Sequence, residues 1–237
     1  MTIARALIRI GCIVVATAGL GACRSSDRKP AGEPSVADGS RERVVVDQPA
    51  EGGFAFPESA RAAAASNRSD VATGLEVAIF GGGCFWGMQE LLRQAPGVVS
   101  TEVGYTGGTT DSPTYEEVSS GSTGHAESVK VVFDPGKTTY EKLVQWFFRI
   151  HDPTTPNRQG HDVGSQYRSV IFYQSPEQAM VAAAVKVRLD RSGKLSGPVV
   201  TQVVPTTKFY RAEAYHQDYL RKHPGGYTCH FVRPDVF

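Results

Sequence analysis

The chain has 237 residues, enough for one medium domain with extensions or for two small ones. Hydrophobic residues make up 41 % of it, which excludes a disordered chain; the formal charge of +1 lacks the basic excess of a general nucleic-acid binder.

Residues 1–22 read as a signal peptide. Arg5 and Arg9 make a positive start, and the apolar run 10–20 has the length of a signal core but is too short to span a bilayer. Small residues close it in LGAC, residues 20–23. This resembles a bacterial lipoprotein signal, in which cleavage falls before the cysteine and Cys23 then carries lipid. A plain secretory signal and an intact N-terminal anchor are the alternatives. Export puts the chain in the cell envelope, on the periplasmic side and tied to a membrane by lipid, where disulfides persist. Resemblance to other lipoproteins favours the outer membrane. Residues 23–75 are rich in Ser, Arg, Asp, Gly, Pro and Ala and read as a disordered tether. Within it, residues 57–69 have the composition of a short helix but few large apolar side chains, so the tether is expected to stay outside the fold.

The folded domain is expected over residues 76–237. EVAIF (76–80) reads as a buried strand running into glycines. In 84–94, Met88, Leu91 and Leu92 fall at helical spacing, with Pro96 and Gly97 after them. Strands follow over 98–105 and 127–134, then an amphipathic helix over 139–151 behind a Thr cap. A strand at 167–173 leads to a helix with Ser175 as cap and Pro176 at its first position. A strand over 199–205 and a final helix over 212–224 complete the order. Strands and helices alternate irregularly, which is the pattern of an α+β or mixed α/β domain.

Four cysteines are present. Cys12 leaves with the signal and Cys23 takes lipid, so Cys84 and Cys229 remain. On arithmetic alone these make one structural disulfide. The stretch GGGCFWG, residues 81–87, offers another reading. A cysteine at a helix N-terminus meets free N–H groups and the positive end of the helix dipole, both of which favour thiolate. Glycines at 81–83 keep side chains out of a substrate's way, and Phe85 with Trp86 can wall an apolar pocket. An inert, buried cysteine in a tight turn fits the same residues. Glu127 reads either as a surface carboxylate or as an acid whose pKa burial raises. Tyr115 and Tyr167 sit beside turn residues; each is an ordinary half-buried phenol or a donor to an oxygen gaining charge. Asp162 reads as a turn or cap residue. No phosphate loop is present, and the six His residues show no HExxH or CxxC pairing, so no metal site is expected.

Taken together, GGGCFWG, VGYTGG, PTYEEVSSGSTGHAESVKVVFDP, FFRIHDPTTPNRQGHDVGSQYRSVIFY and AEAYHQDYL stand in one order and spacing. That set resembles the peptide methionine sulfoxide reductases of the A type over 76–237. The resemblance implies a two-layer α+β sandwich with a ferredoxin-like core and a long irregular C-terminal tail. It implies reduction of methionine (S)-sulfoxide, free or in proteins, with no cofactor. Cys84 would be the nucleophile and Glu127 the acid. Phe85 and Trp86 would take the substrate methyl group, and Tyr115 and Tyr167 the sulfoxide oxygen, with Asp162 in the same site. The resulting Cys84 sulfenic acid would be resolved by Cys229, and a thioredoxin-like partner would reopen the disulfide. Many family members carry a cysteine directly after GY; here Thr228 intervenes. No further cysteine follows Cys229, so a two-cysteine cycle on a mobile tail is expected. The expected partners are oxidised proteins, free methionine sulfoxide, the dithiol donor and, through lipid, a membrane. No nucleic acid is among them, and the chain is taken as a monomer.

Overall fold

A computed structural model describes residues 56–69 and 71–237. The signal peptide, Cys12, Cys23 and most of the tether lie outside the described residues. The elements begin with α1 (Glu58–Asn67), β1 (Glu76–Gly81), α2 (Phe85–Leu92), β2 (Val98–Thr106), α3 (Tyr115–Ser119) and β3 (Ala126–Phe133). They continue with α4 (Tyr140–Ile150), β4 (Arg158–Gln159), β5 (Asp162–Val163), β6 (Val170–Tyr173) and α5 (Pro176–Asp190), and end with β7 (Gln202–Pro205), β8 (Tyr210–Arg211) and α6 (Tyr219–Lys222).

Six strands form one sheet in the order β7-β6-β1-β3-β2-β8, and β4 with β5 forms a separate hairpin. β1 lies antiparallel between β3 and β6, and β2 is antiparallel to β3. β7 adds to β6 in parallel. The four strands β6-β1-β3-β2 with α2 and α4 make the expected ferredoxin-like α+β core. Side chains alternate across the sheet. Ala78, Phe80, Val103, Val129, Val131 and Phe133 face the layer formed by α2, α4 and α5. Val77, Ile79, Val132, Val170 and Phe172 face the opposite way.

That second face needs a cover, and the chain before residue 76 helps to supply it. Val71 and Leu75 pack on it together with Phe209. α1 buries Ala60, Ala63 and Ala64, small residues that let its backbone come close. Its last residue, Asn67, is buried and locked: its amide donates to Thr206 Oγ1 (3.0 Å) and to the Thr207 carbonyl (3.1 Å), and its oxygen accepts from the Phe209 N–H (3.0 Å). The expected tether over 23–75 is therefore corrected at its end, since residues 56–69 belong to the fold. A search for large apolar residues misses a helix that docks through alanines and one asparagine.

The last expected helix is also corrected. Only residues 219–222 are α-helical, because Asp218 adopts a left-handed conformation (φ 57°). Gln217 instead turns inward. Its side chain accepts from the Val103 N–H (3.0 Å) and donates to the Val103 and Ala212 carbonyls (both 2.9 Å). A side-chain amide thus replaces a strand partner for β2, and a regular helix would withdraw it.

Candidate active site

β1 ends at Gly81, and two glycines lead to Cys84 at the N-cap of α2. Gly83 has φ 106°, a conformation that only glycine adopts readily. A side chain at Gly82 would strike the rings of Phe147 and His151 on the α4 side. One at Gly83 would strike Gln159 and His230, and one at Gly87 would strike Thr228 and His230. The expectation that glycines 81–83 clear a substrate path is corrected here. Gly81 lets β3 and β6 approach, while Gly82 and Gly83 let α4, Gln159 and His230 close on the turn that carries Cys84.

Glu127 is the second residue of β3, on the helix-facing side of the sheet and opposite Tyr105 of β2, and is buried. Its Oε2 accepts the Phe85 N–H at 3.0 Å, one of the free donors at the start of α2. That bond favours the carboxylate, but burial outweighs it and raises the pKa to about 8, with the charge of Asp162 adding to the rise. Glu127 is thus a carboxylic acid at neutral pH, as the acid reading requires. Cys84 departs from expectation. It is 7 % exposed, and burial pushes its thiol well above the ordinary range; a charged Glu127 adds to this, against the Trp86 N–H that lowers it. The positive end of an eight-residue helix does not offset that desolvation. In this state Cys84 is a thiol, not the thiolate that the helix start suggests.

Tyr115 opens α3 behind a capping box formed by Thr114 and Glu117. Tyr167 ends a turn of 3-10 helix after Gly164. Burial raises both phenols, and Glu127, Cys84 and Asp162 act electrostatically on each of them. Five of the proposed residues thus lie within electrostatic reach of one another. Phe85 is fully buried against Tyr105 (5.8 Å between ring centroids) and His216 (5.1 Å). Trp86 is partly exposed and stacks on Tyr219 at 3.8 Å and 12°. Its indole N–H donates to His216 Nδ1 at 3.0 Å.

Cys229 is already inside the site. Both cysteines are free thiols. The Cys229 sulfur receives the Cys84 backbone N–H, and its own S–H donates to Asp162 Oδ2 at 3.3 Å. Asp162 Oδ1 accepts from the Tyr227 hydroxyl at 3.2 Å. The irregular tail is not loose in this state. Val236 is buried, Phe237 lies against Phe148, and the Arg233 N–H donates to the Arg149 carbonyl at 2.8 Å. The tail expected to be mobile is docked here, with both thiols free.

Several residues at the site had no role in the sequence reading. Glu213 accepts from the Tyr105 hydroxyl (2.8 Å) and from the Tyr115 N–H (2.9 Å), so one carboxylate ties β2 to α3. His216 holds Trp86, while Tyr227 and His230 flank Cys229. The motif AEAYHQDYL carried Glu213 and His216 in plain sight, but spacing alone says nothing of what they touch. Among the described residues, no group of three or more His, Cys, Asp or Glu is placed to hold a metal ion.

Comparison with known proteins bears on this arrangement. Residues 76–236 match the family model described as peptide methionine sulfoxide reductase. The chain is similar to the peptide methionine sulfoxide reductase MsrA of Nocardia farcinica, with 56 % identity over 158 residues, covering 67 % of this chain and 91 % of that one. It is also similar to MsrA 1 of Mesorhizobium japonicum, with 53 % identity over 164 residues, covering 69 % and 93 %. Among solved structures, reduced Mxr1 of Saccharomyces cerevisiae superposes with a TM-score of 0.64 at 38 % identity, covering 68 % of this chain and 93 % of that one. Methionine sulfoxide reductase A of Corynebacterium diphtheriae gives 0.61 at 39 %, covering 67 % and 79 %.

Proposed function

The chain belongs to the peptide methionine sulfoxide reductase family, A type, and on that premise we propose how its residues divide the thiol-dependent reduction of methionine (S)-sulfoxide. The observation that carries the assignment is the Glu127 carboxyl, buried and tied to the Phe85 N–H beside Cys84. A sulfoxide oxygen leaves only when protonated, and sulfoxide sulfur is soft and electrophilic. Glu127 gives its proton to that oxygen while the Cys84 sulfur attacks the sulfoxide sulfur. The Cys84 proton replaces the one that Glu127 gives up, so the pair starts and ends neutral. This suits a site where burial disfavours charge on both groups. Tyr115 and Tyr167 donate to the oxygen, and Trp86 over the Phe85 floor takes the S-methyl group. The hydroxyl then passes to the Cys84 sulfur as the bond between the two sulfurs breaks, so the sulfoxide is reduced to methionine and Cys84 is oxidised to its sulfenic acid. Cys229 condenses with it to a disulfide, and a dithiol protein of the thioredoxin kind reopens the bridge. A racemic sulfoxide assay with dithiothreitol tests this. Only the S epimer should be consumed, and Cys84→Ser should abolish turnover; equal consumption of both epimers overturns the reading.

The reading extends to an exported, lipid-anchored enzyme that repairs oxidised envelope proteins. Its support is the N-terminal text alone: Arg5, Arg9, the apolar run 10–20 and Cys23 after LGA. Labelled palmitate should enter the full chain in a bacterial host and fail to enter Cys23→Ala. Equal labelling of both overturns the lipid anchor.

A further inference from the structure

We propose that His230, supported by Asp162, is the base that takes the proton from Cys229 as this thiol attacks the Cys84 sulfenic acid. The inference rests on the two-cysteine reading above.

Three contacts define the position of the Cys229 sulfur. It receives the Cys84 N–H, lies 3.3 Å from Asp162 Oδ2, and lies 3.5 Å from His230 Nδ1. The other His230 nitrogen, Nε2, sits 2.8 Å from the Gly82 carbonyl oxygen. A carbonyl only accepts, so Nε2 carries the proton and Nδ1 presents a bare lone pair to the thiol. The imidazole is buried, and burial lowers its pKa to about 4, so it is neutral and able to accept at neutral pH.

The local chain is shaped for this. Thr228, the residue that separates GY from the cysteine, accepts the His230 N–H on its Oγ1 at 3.1 Å. That bond turns the segment so that Cys229 and His230 point into the site together. Gly83 and Gly87 leave the space that the imidazole fills. Tyr227 occupies Asp162 Oδ1, which leaves Oδ2 to the thiol.

The chemistry asks for such a base. Burial and the neighbouring Asp162 push the Cys229 thiol up to about 12, so few thiolates form unaided. In the step proposed, the Cys229–Cys84 S–S bond forms as the S–O bond of the sulfenic acid breaks. The S–H, which points to Asp162 Oδ2 in the resting site, turns to His230 Nδ1, and its proton passes there and then to the departing hydroxide, giving water. The Cys84 sulfur is reduced and the Cys229 sulfur oxidised, so no outside electron donor enters. The Asp162 carboxylate steadies the transient imidazolium.

Rapid-quench single turnover without reductant tests the assignment in the full chain. Methionine formation reports the first step, and the Cys84–Cys229 peptide pair, read by mass spectrometry, reports the second. In His230→Gln the ratio of bridging rate to methionine-formation rate should fall by about 100-fold, the scale of a lost general base. The sulfenic acid should then persist long enough for dimedone to trap it. In His230→Ala, added imidazole should restore part of the bridging rate, which a structural role would not allow. An unchanged ratio in His230→Gln, or no rescue by imidazole, overturns the proposal. Should both variants fail to fold, the wild-type protein decides. Its bridging rate should fall as pH drops through about 4, where His230 takes up a proton facing Asp162, Cys229, Arg233 and His151. A bridging rate flat across that pH overturns the proposal. If wild-type enzyme forms methionine but no Cys84–Cys229 bridge at any pH, the two-cysteine reading itself fails, whatever His230 does.

Discussion

Burial acts on Glu127 and Cys84 in the same direction, holding a proton on each. For Glu127 the consequence for stability has a definite sign. Its folded pKa of about 8 lies above the ordinary carboxylate value of 4.5, so between these limits the folded state binds more protons than the unfolded one. Stability contributed by this group is present at low pH and lost as pH rises through about 8. Glu127→Gln should therefore raise Tm, by more at pH 8 than at pH 5, in a scanning calorimetry series. The same variant should slow methionine formation by about 100-fold or more, since Gln cannot give up a proton. His216 makes a second case. Its Nδ1 accepts the Trp86 indole, so its proton sits on Nε2, 3.8 Å from Glu213 Oε2. Burial lowers its pKa, against Glu213 and Glu116, which keeps it an acceptor at neutral pH. His216→Ala should raise KM for the sulfoxide about tenfold with little change in kcat, the scale of one buried hydrogen bond. Asn at 216 should recover part of the loss in a steady-state assay.

Each side chain proposed for the chemistry is placed by the beginning or the end of an element. α2 presents Cys84 and the Phe85 N–H, β3 presents Glu127, and the capped α3 presents Tyr115. The hairpin β4–β5 presents Asp162 to the C-terminal segment. That segment has almost no regular structure of its own, and its position depends on its far end, where Val236 is buried and Phe237 meets Phe148. Deleting residues 236–237 should cost about 2 kcal/mol, the scale of one buried aliphatic side chain, and loosen Cys229. Bridging between Cys84 and Cys229 should slow several-fold in single turnover. Turnover driven by dithiothreitol, which reaches the sulfenic acid without Cys229, should change less. The tail would then be shown to act as a docked element rather than as a diffusing strand.

At the scale of the molecule, the sheet needs covering on both faces. The helix-facing side is closed by elements within 76–237, but the other side leans on Val71, Leu75 and the Asn67 network. Expression from residue 56 keeps this cover and gives the reference Tm and turnover. Expression from residue 76 should bare part of the Val77, Ile79 and Phe172 face and cost about 2–3 kcal/mol. That loss lowers Tm by roughly 5–10 °C for a domain of this size. A thermal melt of the two truncations checks this, and equal values would show that the helix before β1 adds nothing.

Most of the core was legible in the sequence because it follows from local rules. Alternation marks β3, 3.6-residue spacing marks α4, and Ser175 with Pro176 marks the start of α5. The motifs supplied Cys84, Glu127, Tyr115, Asp162 and Tyr167 as candidates, and the structure places the five within electrostatic reach of one another. Other features are set by contacts between distant residues, on which local pattern is silent. α1 docks through Asn67 across more than a hundred residues, and Gln217 leaves its expected helix to serve Val103. The protonation of Cys84 is of this kind as well. A helix start argues for thiolate from the sequence, but burial is a property of everything packed around the sulfur, and burial wins. The same holds for Cys229. The sequence supplied a second thiol on a glycine-rich tail, and only the packed structure set it against the Cys84 backbone with Asp162 and His230 at its sulfur.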